Sequence, residues 1–318
     1  MRVLLTDHPW PQADIERDIV AEAGFELIDA PSGDEETLAG LAADADAILT
    51  CWAHVTRRVI EASPRLQIVA RMGIGLDNID VPAATERSVL VTNVPDYCLT
   101  EVAEHTIALL LALGRNVALQ HAATKSGQYS LSLGPPPRRL AGQTLGIIGF
   151  GRIGSAVAAK ALGLGLHVIT SIRGSKPLPR HVVAATREQL LAESDFVSLH
   201  LPLTAASRHM LGVRELAQMK TGAFLINTAR GALVDNQALI AALAAGKLAG
   251  AAFDVQDPEP PDLATPPWND PRVIVTPHMA FVSQESVREL RERATRQVVE
   301  RLRGAWPVNV VNLKNASV

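Results

Sequence analysis

Cysteine is scarce: Cys51 and Cys98 are the only two in 318 residues. Two isolated thiols make neither a disulfide framework nor the paired spacing of a metal site. They read as buried or half-buried groups in a reducing compartment. An excess of charge of one sign is lacking too. The chain has 30 basic and 33 acidic side chains, a formal net charge of −3. The basic residues are scattered along it, which excludes nucleic acid as an expected partner. Nor does the N-terminus carry a long apolar run. Val3-Leu4-Leu5 gives way at once to Thr6-Asp7, far too short for a signal peptide or a spanning helix. The expected location is cytoplasmic, with no membrane contact.

What the chain does have is apolar material, 47% of its residues, and a length beyond that at which a single core usually stops growing, so two domains are expected. Short apolar runs recur throughout: Val3-Leu4-Leu5, Ala47-Ile48-Leu49, Ile68-Val69-Ala70, Val89-Leu90-Val91, then 144–148, Val168-Ile169, 196–199, Phe224-Leu225-Ile226 and Val273-Ile274-Val275. Segments of helical spacing, such as 153–164 and 236–243, lie between them. Continuous apolar strands with helical crossovers predict parallel sheets covered on both faces, a doubly wound α/β architecture. A long helical pattern over 101–117 is followed by a polar, proline-rich stretch, 125–139, of the kind that serves an interface or a function. The last pattern, 284–303, is a charged amphipathic helix. If it packs back on the first domain, residues 1–97 and 285–318 form a flavodoxin-like substrate domain. Residues 98–284 are then an inserted Rossmann domain.

The start of that insertion carries a glycine-rich turn. Gly149-Phe150-Gly151-Arg152-Ile153-Gly154 follows the predicted strand 145–148 and opens a predicted helix. In that context Gly149 permits the tight turn, Gly151 lets backbone approach a pyrophosphate, and Gly154 lets helix and strand pack closely. The helix N-terminus would receive the diphosphate. An acid for the adenosine ribose is missing from the end of the next strand, which reads Ser171-Ile172-Arg173-Gly174-Ser175-Lys176. Arg173, with Ser175 and Lys176 nearby, suits a 2′-phosphate. NADP(H) is therefore favoured, and NAD(H) is the alternative if these cations form only a solvated loop.

Three further segments follow: Ile226-Asn227-Thr228-Ala229-Arg230-Gly231, Asp254-Val255-Gln256-Asp257-Pro258-Glu259-Pro260 and Thr276-Pro277-His278. With the glycine turn, in this order and over nearly the whole chain, they resemble the D-isomer-specific 2-hydroxyacid dehydrogenase family. The segments 71–80 and 93–98 are most similar to the branch holding the C-terminal-binding proteins and phosphoglycerate dehydrogenase-like enzymes. The resemblance implies an NAD(P)-dependent oxidoreductase that reduces a small 2-oxo acid such as glyoxylate, hydroxypyruvate or a phosphorylated relative.

That chemistry needs these residue types. Hydride goes to the keto carbon while a proton reaches the oxygen, and an imidazole, His278, is suited to donate it. Glu259 would hold the other ring nitrogen and favour the protonated form. Arg230 would bind keto oxygen and carboxylate together and stabilise developing negative charge. In related formate-type dehydrogenases glutamine takes the place of Glu259, so the acid argues against that reaction. By the same resemblance the cofactor touches Arg152, Ile153, Leu201, Pro202, Ser207, Thr228, Ala229, Arg230, Asp254, His278 and Ala280. Asp254 would face the nicotinamide amide, and Ser207 stands where the family often has threonine.

On the substrate side, Gly73-Ile74-Gly75 resembles the family loop whose backbone N–H groups receive the substrate carboxylate. Ile74 and Gly75 are the expected contacts, and Arg71 reaches either a distal anion or an interdomain partner. Cys51-Trp52-Ala53-His54 and Phe281 would add to the pocket wall. Biosynthetic oxidation of phosphoglycerate is a close alternative. A dinucleotide-sensing scaffold of the corepressor kind is another, against which the complete catalytic set argues. The helical pattern 101–117 and the loop after it imply a homodimer.

Overall fold

The computed structural model describes residues 1–171 and 177–314. They form two compact units, one of residues 1–97 with 283–318 and one of residues 98–282.

The first unit begins with β1 (Arg2–Leu5), α1 (Asp14–Glu22), β2 (Glu26–Asp29), α2 (Glu35–Ala42), β3 (Ala47–Thr50), α3 (Arg57–Ala62), β4 (Ile68–Arg71), α4 (Val81–Glu86) and β5 (Leu90–Thr92). The sheet order is β2-β1-β3-β4-β5, with every pairing parallel. This is the flavodoxin-like order. β3, β4 and β5 are buried at every residue, as expected of strands covered on both faces. β2, Glu-Leu-Ile-Asp, lies at the edge and keeps its ends exposed, so it lacks the apolar run that marks the others.

The second unit holds α5 (Leu99–Gly114), α6 (Val117–Lys125), β6 (Thr144–Ile148), α7 (Arg152–Gly163), β7 (His167–Ser171), β8 (Val182–Ala184), α8 (Arg187–Glu193), β9 (Phe196–Leu199), α9 (Val213–Gln218), β10 (Ala223–Asn227), α10 (Asn236–Ala244), β11 (Leu248–Phe253) and β12 (Val273–Val275). Its seven strands run β12-β11-β10-β9-β6-β7-β8, again all parallel. Two apolar clusters cover the two faces. α5 and α7 bury Leu110 and Val157 with Leu145 and Ile226, while α8 and α10 bury Leu190 and Leu239 with Leu225 and Phe253. Neighbouring strand residues therefore go to opposite faces, and both faces are apolar.

The predicted helix over 101–117 stops early. α5 ends at Gly114, Asn116 takes a left-handed conformation (φ 55°), and α6 starts afresh at Val117. The two helices meet at 63°, and among the described residues no single helix is long and apolar enough to cross a membrane. Beyond α6, the proline-rich segment is pinned at three places. Asn116 Nδ2 donates to the Pro135 carbonyl (2.7 Å), Gln120 Nε2 donates to that of Leu133 (2.9 Å), and Arg138 pairs with Asp195 (2.8 Å).

After the second unit the chain returns to the first as α11 (Gln284–Leu302), capped by Ser283. Arg291 of this helix reaches the fully buried Glu16 (2.7 Å) and Asp14 (2.6 Å), and it lies over the ring of Trp10. A buried carboxylate is tolerable only with such a partner.

Asp195, at the entry to β9, accepts from Lys220 Nζ (2.7 Å), from Arg138 and from the Thr144 N–H (2.9 Å). Burial alone would raise its carboxyl, but these three donors outweigh it and hold the group below its ordinary 3.8. A carboxyl depressed by folding adds stability above its unfolded pKa, and that stability is lost as pH falls through the folded value. Asp195→Asn is therefore expected to lower the unfolding free energy by about 1–2 kcal/mol at pH 7, with the gap closing below pH ~3.8. Urea titrations across pH read this directly; a gap that persists at acid pH would contradict it.

Candidate active site

In the second unit the chain climbs from β6 to β7 and β8 on one side, then crosses to β9, β10, β11 and β12 on the other. The reversal opens a crevice beyond the ends of β6 and β9, where ligands of open parallel sheets bind. The glycine turn 149–154 fills one lip. Gly149 has φ 96°, and a Cβ there would collide with the His200 carbonyl; a Cβ on Gly154 would collide with the Gly149 carbonyl. Gly151 differs, because a Cβ on it would meet nothing within 4 Å. Protein packing does not require glycine at that position, but a group drawn close to the backbone would. The first turn of α7 begins there, and the N–H groups that a helix start leaves without intrahelical acceptors suit a diphosphate. Arg152 is exposed and Ile153 half-buried.

The other lip is the segment after β9. Leu201 is half-buried and Pro202 exposed. The buried Ser207 hydroxyl donates to the Pro202 carbonyl (2.9 Å) and accepts from the Thr204 N–H (2.8 Å), so it folds this loop on itself. His200 Nε2 shares a hydrogen bond with Ser198 Oγ (2.8 Å), and burial pushes its imidazole down to about 4. It is therefore neutral at physiological pH. Neither Ser198 nor His200 stands out in the sequence, where both sit inside an ordinary strand pattern.

Arg230, Glu259 and His278 come from three successive positions along the sheet edge. Arg230 follows β10, Glu259 follows β11 and His278 follows β12, and these strands are hydrogen-bonded neighbours. Residues far downstream of the glycine turn thus share one edge with it, because parallel strands all end on the same side. Asn227 closes the β10 turn, its Nδ2 donating to the Arg230 carbonyl (2.8 Å) and its Oδ1 accepting from the Ala229 N–H (3.0 Å). A Cβ on Gly231 would collide with the backbone of Gln256, so the turn bearing Arg230 lies directly on the loop bearing Glu259.

Glu259 Oε2 is 2.9 Å from His278 Nδ1, and its Oε1 accepts from the Gln256 N–H (2.7 Å). Burial works to raise the Glu259 carboxyl, but His278, the Gln256 N–H and the charge of Arg230 bring it below its ordinary 4.5. It is an ionised carboxylate on one imidazole nitrogen, which leaves the other nitrogen to exchange a proton with a ligand.

Asp254 is 0% exposed, and both of its oxygens accept hydrogen bonds from within the protein. Oδ1 accepts from Thr276 Oγ1 (2.5 Å) and the Met279 N–H (2.9 Å), Oδ2 from the Ala280 N–H (2.8 Å), and the Asp254 carbonyl from the His278 N–H (2.8 Å). His278 has φ 50°, a conformation few non-glycine residues adopt without support. Asp254 supplies that support. The backbone N–H groups of residues 278–280 are committed to it, and the Met279 carbonyl accepts from the Val282 N–H (2.9 Å).

In the first unit, the loop after β4 turns the Gly73 and Ile74 carbonyls inward, to the Val94 N–H (3.0 Å) and Asn93 Nδ2 (2.8 Å). Among the described residues the N–H groups of Gly73, Ile74 and Gly75 have no acceptor. Arg71 is 7% exposed, donates to Asn78 Oδ1 (3.1 Å) and to the Met72 carbonyl, and stacks at 5.6 Å on Trp52. Among the described residues it has no carboxylate partner. Arg173, on which the NADP(H) expectation rests, lies with Ser175 and Lys176 outside the described residues.

Residues 107–280 match the family described as D-isomer specific 2-hydroxyacid dehydrogenase, NAD binding domain, and the chain belongs to this family. It is a nicotinamide-dependent oxidoreductase of 2-hydroxy acids. Among its relatives is a glyoxylate reductase of Thermococcus litoralis, 39% identical over 284 residues that cover 85% of this chain and 84% of that protein. A D-3-phosphoglycerate dehydrogenase of Methanocaldococcus jannaschii is 37% identical over 99% of this chain, which spans 60% of that protein. Among solved structures, the TT0316 protein from Thermus thermophilus superposes with a TM-score of 0.90 at 36% identity, covering 98% of this chain and all of that one (100%).

The glycines give a test that separates packing from ligand approach. Gly151→Ala is expected to leave the melting temperature unchanged while weakening dinucleotide binding by about tenfold or more, the cost of roughly 1–3 kcal/mol of overpacking against a ligand. Gly154→Ala should lower the melting temperature. Fluorescence titration with reduced dinucleotide, paired with thermal melts, checks both; wild-type affinity in Gly151→Ala would move the diphosphate elsewhere.

Proposed function

We propose that this enzyme reduces a small 2-oxo acid to the D-2-hydroxy acid, with His278 as proton donor, Glu259 as its positioning partner and Arg230 as the electrophilic clamp. When bound, the reduced dinucleotide supplies the hydride, which goes to the keto carbon. His278 gives a proton to the keto oxygen, so one C–H and one O–H bond form and the carbonyl π bond breaks. Glu259 stays ionised throughout and balances the imidazolium before the transfer. Arg230 offers planar paired N–H groups to the keto oxygen and the adjacent carboxylate, where negative charge gathers as hydride arrives. What carries this reading is the 2.9 Å hydrogen bond from His278 to Glu259, next to the strand whose end bears Arg230.

The first unit carries a loop suited to an anion. The N–H groups of Gly73, Ile74 and Gly75, without acceptors among the described residues, fit a carboxylate. Arg71, a buried cation without a carboxylate partner among the described residues, is suited to a further anionic group of the substrate. Glyoxylate fits the glyoxylate reductases among the relatives, hydroxypyruvate is another small 2-oxo acid, and a phosphorylated 2-oxo acid fits an extra cation. The dinucleotide is NADP(H) by preference, supported by the cations Arg173 and Lys176 and by the missing acid after β7. The active form is a homodimer, supported by the α6 segment. No residue of α6 is buried, and beyond it Tyr129 and Leu131 are 94% and 101% exposed. Light scattering is expected to give twice the chain mass.

The test is a panel of 2-oxo acids with NADH and NADPH assayed separately. His278→Ala should lose roughly 10²–10⁴-fold in turnover with dinucleotide affinity kept. Arg173→Asp should shift preference towards NADH. Retained turnover in the first variant, or a wild type that already strongly prefers NADH, would overturn the corresponding assignment.

A further inference from the structure

α5 is the apolar core helix of the second unit, yet it carries two adjacent polar residues, His105 and Thr106, aimed at the sheet edge. His105 Nε2 is 3.0 Å from Thr276 Oγ1 and 3.5 Å from Asp254 Oδ1. Thr106 is 0% exposed, and its Oγ1 is 3.0 Å from Thr228 Oγ1. Thr276 stands two residues before His278, and Thr228 two residues before Arg230. Consecutive residues on a helix diverge by about 100°, so one short stretch of helix reaches two different loops. The residue before them, Glu104, pairs with Lys160 of α7 (3.0 Å), the helix that begins at the glycine turn.

The donors can be assigned from the partners. Thr276 has one hydroxyl proton, and at 2.5 Å from a carboxylate it donates to Asp254. Its oxygen must then accept from His105, which fixes the proton of that ring on Nε2. In the same way the Thr106 hydroxyl donates to the Val102 carbonyl (2.7 Å), so Thr228 donates to Thr106. Each contact is thus a hydrogen bond of defined direction, and none of them is needed to close a helix or a sheet ladder.

We propose that His105 and Thr106 are positioning residues. Together they brace the segment bearing His278 against the segment bearing Arg230, so that guanidinium and imidazole meet one substrate in a fixed relation. The inference rests on the roles given above to those two groups. Neither His105 nor Thr106 touches the substrate. They act through Thr276 with Asp254 and through Thr228. A shift of about 1 Å in such a pair is enough to slow hydride transfer about a hundredfold without altering how the dinucleotide is held.

The experiment compares His105→Leu with His105→Gln, whose amide nitrogen reaches a similar place, and Thr106→Val with Thr106→Ser. His105→Asn, polar but too short to reach Thr276, stands in if the leucine variant does not fold. The Leu, Asn and Val variants are expected to lose about ten- to a hundredfold in kcat. KM for the dinucleotide should stay within about twofold and melting temperatures close to wild type, and Gln and Ser should recover most of the loss. Wild-type kcat in His105→Leu (or its Asn stand-in) and Thr106→Val would overturn the brace. Equal losses in the Gln and Ser variants would also overturn it, since packing rather than directed hydrogen bonding would then be at work. His278→Ala in the same assay separates the two levels. A dead His278→Ala beside fully active brace variants overturns the brace alone, whereas turnover in His278→Ala overturns the reading beneath it as well.

Discussion

One buried carboxylate sets the geometry of the sheet edge. Asp254 follows β11 and is sealed from solvent, and every hydrogen bond it accepts comes from the segment after β12. Removing any one donor would leave part of a buried charge unsatisfied, at a cost of a few kcal/mol. The segment carrying His278 therefore has one favourable path, and that path includes the left-handed turn at His278 itself. Glu259 then needs only to meet an imidazole whose place is already fixed. The Gln256 N–H holds its second oxygen, and the close approach of Gly231 to Gln256 brings the Arg230 turn alongside.

Electrostatics at this edge are sorted by burial. His200, enclosed beside the glycine turn and hydrogen-bonded to Ser198, is kept neutral. Glu259, partly enclosed but surrounded by His278, Arg230 and a backbone donor, is kept charged. The two groups sit at the ends of different strands of the same sheet, one near the place proposed for the diphosphate and one where the proton is proposed to move. An ionised carboxylate beside the imidazole is the state that proton donation by His278 requires.

Much of this is legible in the chain because burial on both faces writes strands as apolar runs. β6, β9 and β12 agree with their apolar runs to the residue. β11, Leu-Ala-Gly-Ala-Ala-Phe, is not marked in this way, since its alanines and glycine are residues that strands disfavour. They are there because Gly250 packs against the Arg272 carbonyl, Leu113 and Phe224, a tertiary demand invisible to local pattern. β2 and β8 escape for the opposite reason, being short and partly exposed edges. The break at Asn116 is hidden by apolar spacing that continues across it. Of the site, the Arg230, Glu259 and His278 segments and the glycine turn are legible as motifs with a mechanical reason for each residue. The internal commitment of Asp254 is not, because a sequence names a carboxylate without saying which donors reach it first. His105 and Thr106 are masked by the apolar helix around them.

Guanidinium and imidazole must address the same keto group for the proposed reaction to proceed. The most direct measurement is a crystal structure of the enzyme with dinucleotide and an unreactive 2-oxo-acid analogue. Both an Arg230 guanidinium nitrogen and His278 Nε2 are expected within about 2.6–3.2 Å of the analogue's keto oxygen, with Glu259 still on Nδ1. An analogue held by other residues, or a His278 ring turned away from it, would contradict the account.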